Sequence, residues 1–144
     1  MKLDDIFDMW KKECEIDMTN LDRSQADAAK LHPKYLNLLA KERFLFKKFE
    51  KQYALLKEEK YIFYTEGPTR EQLEKGWEFP AKGAILKMDV QRYLDTDKEI
   101  IELQLKMAMQ QEKLSILESI LYQLNGRSYM IKNILEWKKL QLSG

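Results

Sequence analysis

The chain has 144 residues, of which 44% are hydrophobic and 34% charged, with five Gly, three Pro and one Cys. This length fits one domain, the apolar share supports a core, and scarce Gly and Pro among many Lys, Glu and Leu predict long helices with few turns. A net charge of +1 excludes a global field drawing the chain to nucleic acid, so any such binding comes from local charge.

In chain order, Asp4 or Asp5 is expected to cap a short helix with Ile6, Met9 and Trp10 on its apolar face. Asp17 and Thr19 offer the next cap, for a second short helix from about Leu21 to Leu31. Pro33 then stands where a first helical residue belongs. From there to Tyr64, the residues Tyr35, Leu38, Leu39, Leu45, Phe49, Tyr53 and Leu56 recur at steps of three and four or their multiples. Lys41, Lys47, Lys48, Lys51, Lys57 and Lys60 fall largely off that stripe, which predicts a long amphipathic helix with a basic outer side. Charge counts agree: residues 33–64 hold eight Lys/Arg against four Asp/Glu, whereas residues 1–32 hold five against eight.

Gly67-Pro68 breaks the helix. Thr69 to Gln72 has the form of a capping box, so a short helix follows. Gly76 to Gly83 reads as a loop whose Trp77 and Phe79, beside Pro80, are expected to pin it to the core. Residues 84–94 fit a strand or a turn of helix equally well. Thr96 to Glu99 forms a second capping box and opens the clearest element. Ile100, Leu103, Met107, Gln110, Leu114, Leu117, Leu121 and Leu124 recur at alternating steps of three and four, a heptad seam with one polar position. A second apolar row, Ile101, Leu105, Ile116 and Ile120, flanks it. Gly126 looks like a helix stop, followed by a last helix from Arg127 to Leu142. The seam is read either as the core of an intramolecular bundle or, with Ile131 and Leu135, as an oligomer interface; the second is preferred because a chain this short has trouble covering two apolar rows internally. The expected fold is all-α: a single helical domain, with an N-terminal part at residues 1–95 and oligomerisation helices at 96–144.

Catalytic chemistry is not in evidence. His32 and Cys14 are single residues on separate predicted helices, and the glycines are too scattered for a phosphate loop. Zinc needs more His or Cys ligands than these two. Neither an enzyme nor a cofactor is expected. One cysteine forms no internal disulfide, which suits a reducing cytoplasm. Met1 to Trp10 alternates acidic and apolar residues, unlike a signal peptide, and no stretch approaches the roughly 20 apolar residues of a membrane span. A soluble protein without a membrane partner is therefore expected.

Between Tyr53 and Tyr64, lysines alternate with rings. Single-strand binding needs cations for phosphates and flat rings on which bases stack. The same pattern also describes a helix with a buried aromatic face and solvated lysines. Glu58 and Glu59 offset the local charge.

The order of these pieces resembles the UvsY recombination mediators of T-even-type phages and their relatives. The likeness begins at Ile16-Asp17-Met18-Thr19-Asn20-Leu21 and Lys34-Tyr35-Leu36. It runs through Leu56-Lys57, Tyr64-Thr65-Glu66-Gly67, Gly76-Trp77-Glu78, Leu86-Lys87-Met88-Asp89, Tyr93-Leu94 and Asp97-Lys98. It closes on Gly126-Arg127-Ser128-Tyr129 and Ile131-Lys132. The resemblance implies a non-enzymatic protein of the infected host cytoplasm that binds single-stranded DNA. It further implies contacts with the phage recombinase and the phage single-strand-binding protein, and a ring-like homo-oligomer of about six or seven subunits. The family's DNA-binding motif is Leu-Lys-x-Arg shortly before a Tyr-Tyr pair. Leu56 and Lys57 match its start, Glu59 takes the Arg position, Lys60 lies one residue on, and Phe63-Tyr64 replaces the ring pair. The candidate DNA-binding residues are Lys47, Lys48, Lys51, Lys57, Lys60, Tyr61 and Tyr64. The principal alternative is a helical oligomeric scaffold or chaperone-like protein that binds only protein. A transcription regulator would need a base-reading helix, and no helix-turn-helix spacing stands out.

Overall fold

The computed structural model describes residues 1–143; Gly144, the last residue of the expected oligomerisation part, lies outside the described residues. Five helices follow in order among them: α1 (Leu3–Glu13), α2 (Leu21–Glu66), α3 (Arg70–Glu74), α4 (Lys87–Asp95) and α5 (Lys98–Ser143). The described residues contain no strand, and the fold is all-α. No helix among them is long and apolar enough to cross a membrane.

The chain forms two compact units, Met1–Phe44 with Gln111–Gly144, and Leu45–Gln110. The two long helices, α2 and α5, each contribute to both units.

In the first unit, α1 starts one residue before Asp4, so the two acids lie in its first turn instead of at its cap. There they favour the positive end of the helix dipole, and Asp5 accepts from the Lys2 amide at 3.3 Å. The next cap is Asn20, not Asp17 or Thr19: its side-chain oxygen accepts the Arg23 amide at 3.1 Å. Asp17 instead closes the turn before it. Hydrogen bonds from the Thr19 hydroxyl and amide, at 2.5 and 2.9 Å, hold its carboxyl below the usual carboxylate range.

Two expected breaks are absent. Helix α2 passes through Pro33, although an interior proline costs about 3 kcal/mol. Leu21, Ala28, Tyr35 and Leu39 are buried at helical spacing on both sides of it. Pro33 and Ala29, whose carbonyl the proline cannot bond, are both exposed. Helix α5 likewise runs through Gly126. A glycine stop needs the left-handed backbone, which Gly126 does not adopt, unlike Gly67 at φ +91° and Gly76 at φ +89°. Leu124, Arg127 and Ile131 are buried on either side of it. Arg127 anchors this stretch by donating to the carbonyls of Glu13 and Cys14 at the end of α1. A Cβ at Gly126 would meet nothing within 4 Å. Gly126→Ala is therefore expected to raise stability by about 0.5–1 kcal/mol in urea unfolding. A decrease would mean that this helical turn is not formed in solution.

The heptad seam is largely a core of the chain itself. Ile100, Leu114, Leu117, Leu121, Leu124 and Ile131 are buried within one copy, as is the polar Gln110. Leu103 and Met107 are half-buried. Of the expected interface residues Leu135 is exposed, and so are Tyr129, Met130, Trp137 and Leu140 nearby.

In the second unit the core comprises Phe63, Tyr64, Trp77, Val90, Leu94 and Ile100, with Tyr53, Leu56, Phe79, Ile85 and Tyr93 packed on it. Of residues 84–94, those from Lys87 onward take the helical alternative, as α4, whose Val90 and Leu94 face this core one turn apart, while Leu86 is its extended N-cap. Thr69 accepts the Gln72 amide while Gln72 accepts the Thr69 amide, so the capping box forms as expected. At the other end of α3, the Gly76 amide reaches the Leu73 carbonyl at 3.0 Å and the Trp77 amide reaches the Gln72 carbonyl at 3.1 Å. That pair of bonds is a Schellman motif, which needs the positive φ of Gly76 and returns the next residue to the core. Trp77 and Phe79 thereby hold the loop down, each edge-on to Phe63.

Candidate nucleic-acid interface

The candidate residues between Lys47 and Tyr64 all lie on α2 within the second unit, and helical geometry divides them into an outer and an inner set. Lys47, Lys51, Ala54, Glu58 and Tyr61 follow steps of four, three, four and three, so they share one face. Lys57 sits beside Ala54 and Tyr61 on that face. All six are exposed. Lys48 is exposed as well, off this row. The outer face thus carries three lysines, one carboxylate and an aromatic ring.

Lys60 and Tyr64 lie on the flank of α2 that Trp77 and Asp97 cover. Their one-turn spacing places them beside Phe63, and both are buried. The Lys60 ammonium lies 3.1 Å from Asp97 Oδ2 and 3.8 Å from Glu99, with the Trp77 ring centroid at 3.7 Å. Tyr64 donates its hydroxyl to the same Asp97 oxygen at 2.6 Å. Asp97 also caps α5, since its Oδ1 accepts the Ile100 amide at 3.1 Å and its carbonyl accepts the Ile101 amide. The cap belongs to Asp97 and not to Thr96, whose hydroxyl bonds back to the Arg92 carbonyl.

This cluster settles its own charges. Burial pushes the Asp97 carboxyl up, but hydrogen bonds from Tyr64, Ile100 and Lys60, together with the lysine charge, outweigh it and hold the group below its ordinary value. Burial, followed by the hydrogen bond to Asp97 and the charges of Asp97 and Glu99, pushes the Tyr64 hydroxyl well above its ordinary value. A buried ammonium fully engaged by a carboxylate and a ring has no face left for phosphate. Lys60 and Tyr64 therefore lie behind the exposed face of α2, and the Lys60 ammonium is not presented at the surface.

Glu59, at the position of that arginine, lies 3.7 Å from Lys75. The pairing draws its charge towards the end of α3 and leaves Lys57 as the nearest exposed cation on α2. Sequence reasoning missed Asp97 as the partner of Lys60. The capping pattern flagged residue 97, but the contact spans 37 positions and is visible only in three dimensions.

Residues 9–144 match the family described as the recombination, repair and single-stranded-DNA-binding protein UvsY. The chain belongs to the UvsY family. Among solved structures, one crystal form of the bacteriophage T4 recombination mediator protein UvsY superposes with a TM-score of 0.81 at 22% identity, covering 99% of this chain and 98% of that one. A second crystal form of the same T4 protein gives 0.79 at 19% identity, covering 98% and 99%. At such identities the likeness establishes the UvsY fold and not the site. No curated protein sequence matches significantly.

Proposed function

We propose that this UvsY-family protein is a recombination mediator: it binds single-stranded DNA and helps the phage recombinase replace the phage single-strand-binding protein on it. The observation carrying this reading is the exposed row of Lys47, Lys51, Lys57 and Tyr61 in a member of a recombination and single-strand-binding family. Cations on one helix face suit a flexible phosphate backbone, and a surface ring suits an unstacked base.

The reading includes self-association and action in the infected host cytoplasm. One copy of the outer face offers few contacts, so affinity for a long strand needs several copies on one particle. Because most of the heptad seam is buried in the chain's own core, the surface proposed for a second copy shifts to the exposed apolar residues of the C-terminal turns. These include Leu135, Trp137 and Leu140, at 37%, 63% and 64% exposure.

The test is binding to a labelled oligo-dT strand across a salt series with particle mass measured on the same sample, followed by recombinase filament assembly on strand pre-coated with single-strand-binding protein. Salt-sensitive binding by a multi-subunit particle and faster filament assembly are expected. A multi-subunit particle with no affinity at low salt would move the reading to a scaffold that binds only protein.

A further inference from the structure

On the second unit, a hollow of about 360 Å³ is lined by Tyr53, Ala54, Lys57 and Tyr61 of α2 and by Gln91 and Leu94 of α4. We propose that it takes a single nucleobase of the bound strand, stacked on tyrosine, with Lys57 on the adjoining phosphate. The proposal rests on the reading of this chain as a single-strand binder and adds where a base is held.

Four observations carry it. The volume falls in the lower part of the range for small-molecule sites, roughly 300–1,000 Å³. Both sides are fixed in place: Tyr53 packs on the aromatic core and its hydroxyl accepts from Gln104 Nε2 at 3.2 Å, while Leu94 is buried in the same core. Ala54 contributes only a methyl group where every neighbour on the face is long, which is why the hollow exists. Gln91 donates its amide to Asp95 Oδ1 at 2.7 Å, so its carbonyl oxygen is held ready to accept from a base edge.

The electrostatics favour a base over phosphate alone. Lys57 stands 6.0 Å from the Tyr53 ring centroid, and Glu58 completes the rim with the opposite charge. Glu58 offsets part of the Lys57 charge, so stacking on tyrosine supplies most of the affinity for the base itself. Stacking releases no counterions, so its contribution is insensitive to salt.

The experiment compares the full-length protein on oligo-dT and on an abasic strand of equal length. Native protein is expected to favour oligo-dT by about tenfold or more, with a ratio that holds across the salt series. Tyr61→Ala removes an exposed ring, and Ala54→Phe fills the hollow from the helix itself. Each is expected to bring the ratio of the two affinities towards one. A native ratio near one, or a ratio that neither substitution changes, overturns the base site while leaving the DNA-binding reading intact. Absence of affinity for both strands at low salt overturns that reading, and the base site with it.

Discussion

Lys60→Met is expected to destabilise the protein by about 3–5 kcal/mol, the usual consequence of removing one partner from a buried ion pair. The ammonium is engaged with Asp97 at 3.1 Å and capped by the Trp77 ring. Its loss leaves a buried carboxylate with only Tyr64 and the Ile100 amide as donors. Urea unfolding at neutral pH measures the effect, and a change under about 1 kcal/mol would reject the clasp. The paired variant Lys60→Met/Asp97→Asn is expected to recover much of the loss, because it removes the stranded charge as well.

The acid limb supplies an independent reading. Asp97 has a folded-state value below its unfolded one. Its contribution is therefore complete above the ordinary aspartate value of about 4 and is lost as pH falls through the folded value. In Lys60→Met the carboxyl rises, so the acid-side loss of stability moves to higher pH. In Asp97→Asn that part of the pH dependence disappears. If Lys60 touched phosphate directly, folded Lys60→Met would show a shallower salt dependence of DNA binding; here the slope is expected to stay as in the native protein.

The second large effect lies on the exposed face of the same helix. The triple substitution of Lys47, Lys51 and Lys57 by Gln is expected to weaken oligo-dT binding by roughly ten- to a hundredfold at moderate salt. The salt dependence becomes shallower by about 2, since each phosphate neutralised on a single strand contributes about 0.7 to the slope. Stability should change by no more than about 0.5 kcal/mol per site, because all three side chains are exposed. Binding and slope that both match the native protein would place the DNA elsewhere.

Much of the fold was legible in the residue pattern. The 3.6-residue periodicity marked α2 and α5, the Gly67-Pro68 break was visible, and Thr69 to Gln72 announced α3. Pro33 and Gly126 misled for one reason. A local breaking signal carries a cost of about 1–3 kcal/mol, and burial of apolar residues on both sides of the break overrides it. Residues 84–94 were ambiguous because eleven residues hold too few turns to separate helix from strand by periodicity.

The candidate interface was half legible. Sequence alone determined that the basic charge concentrates in one helix, that rings alternate with lysines there, and that the order of motifs is that of the UvsY family. Tertiary structure decided which of those side chains face outward. Lys57 and Lys60 look equivalent in a list of residues and lie one turn apart on the helix, yet Asp97 and Trp77 cover Lys60 and leave Lys57 in solvent. The seam from Ile100 to Leu124 shows the same limit, since an apolar row states that it will be covered but not by what. Helical spacing sets which residues share a face, whereas the partner of a face is fixed by chain segments tens of residues away, and only packing brings those together.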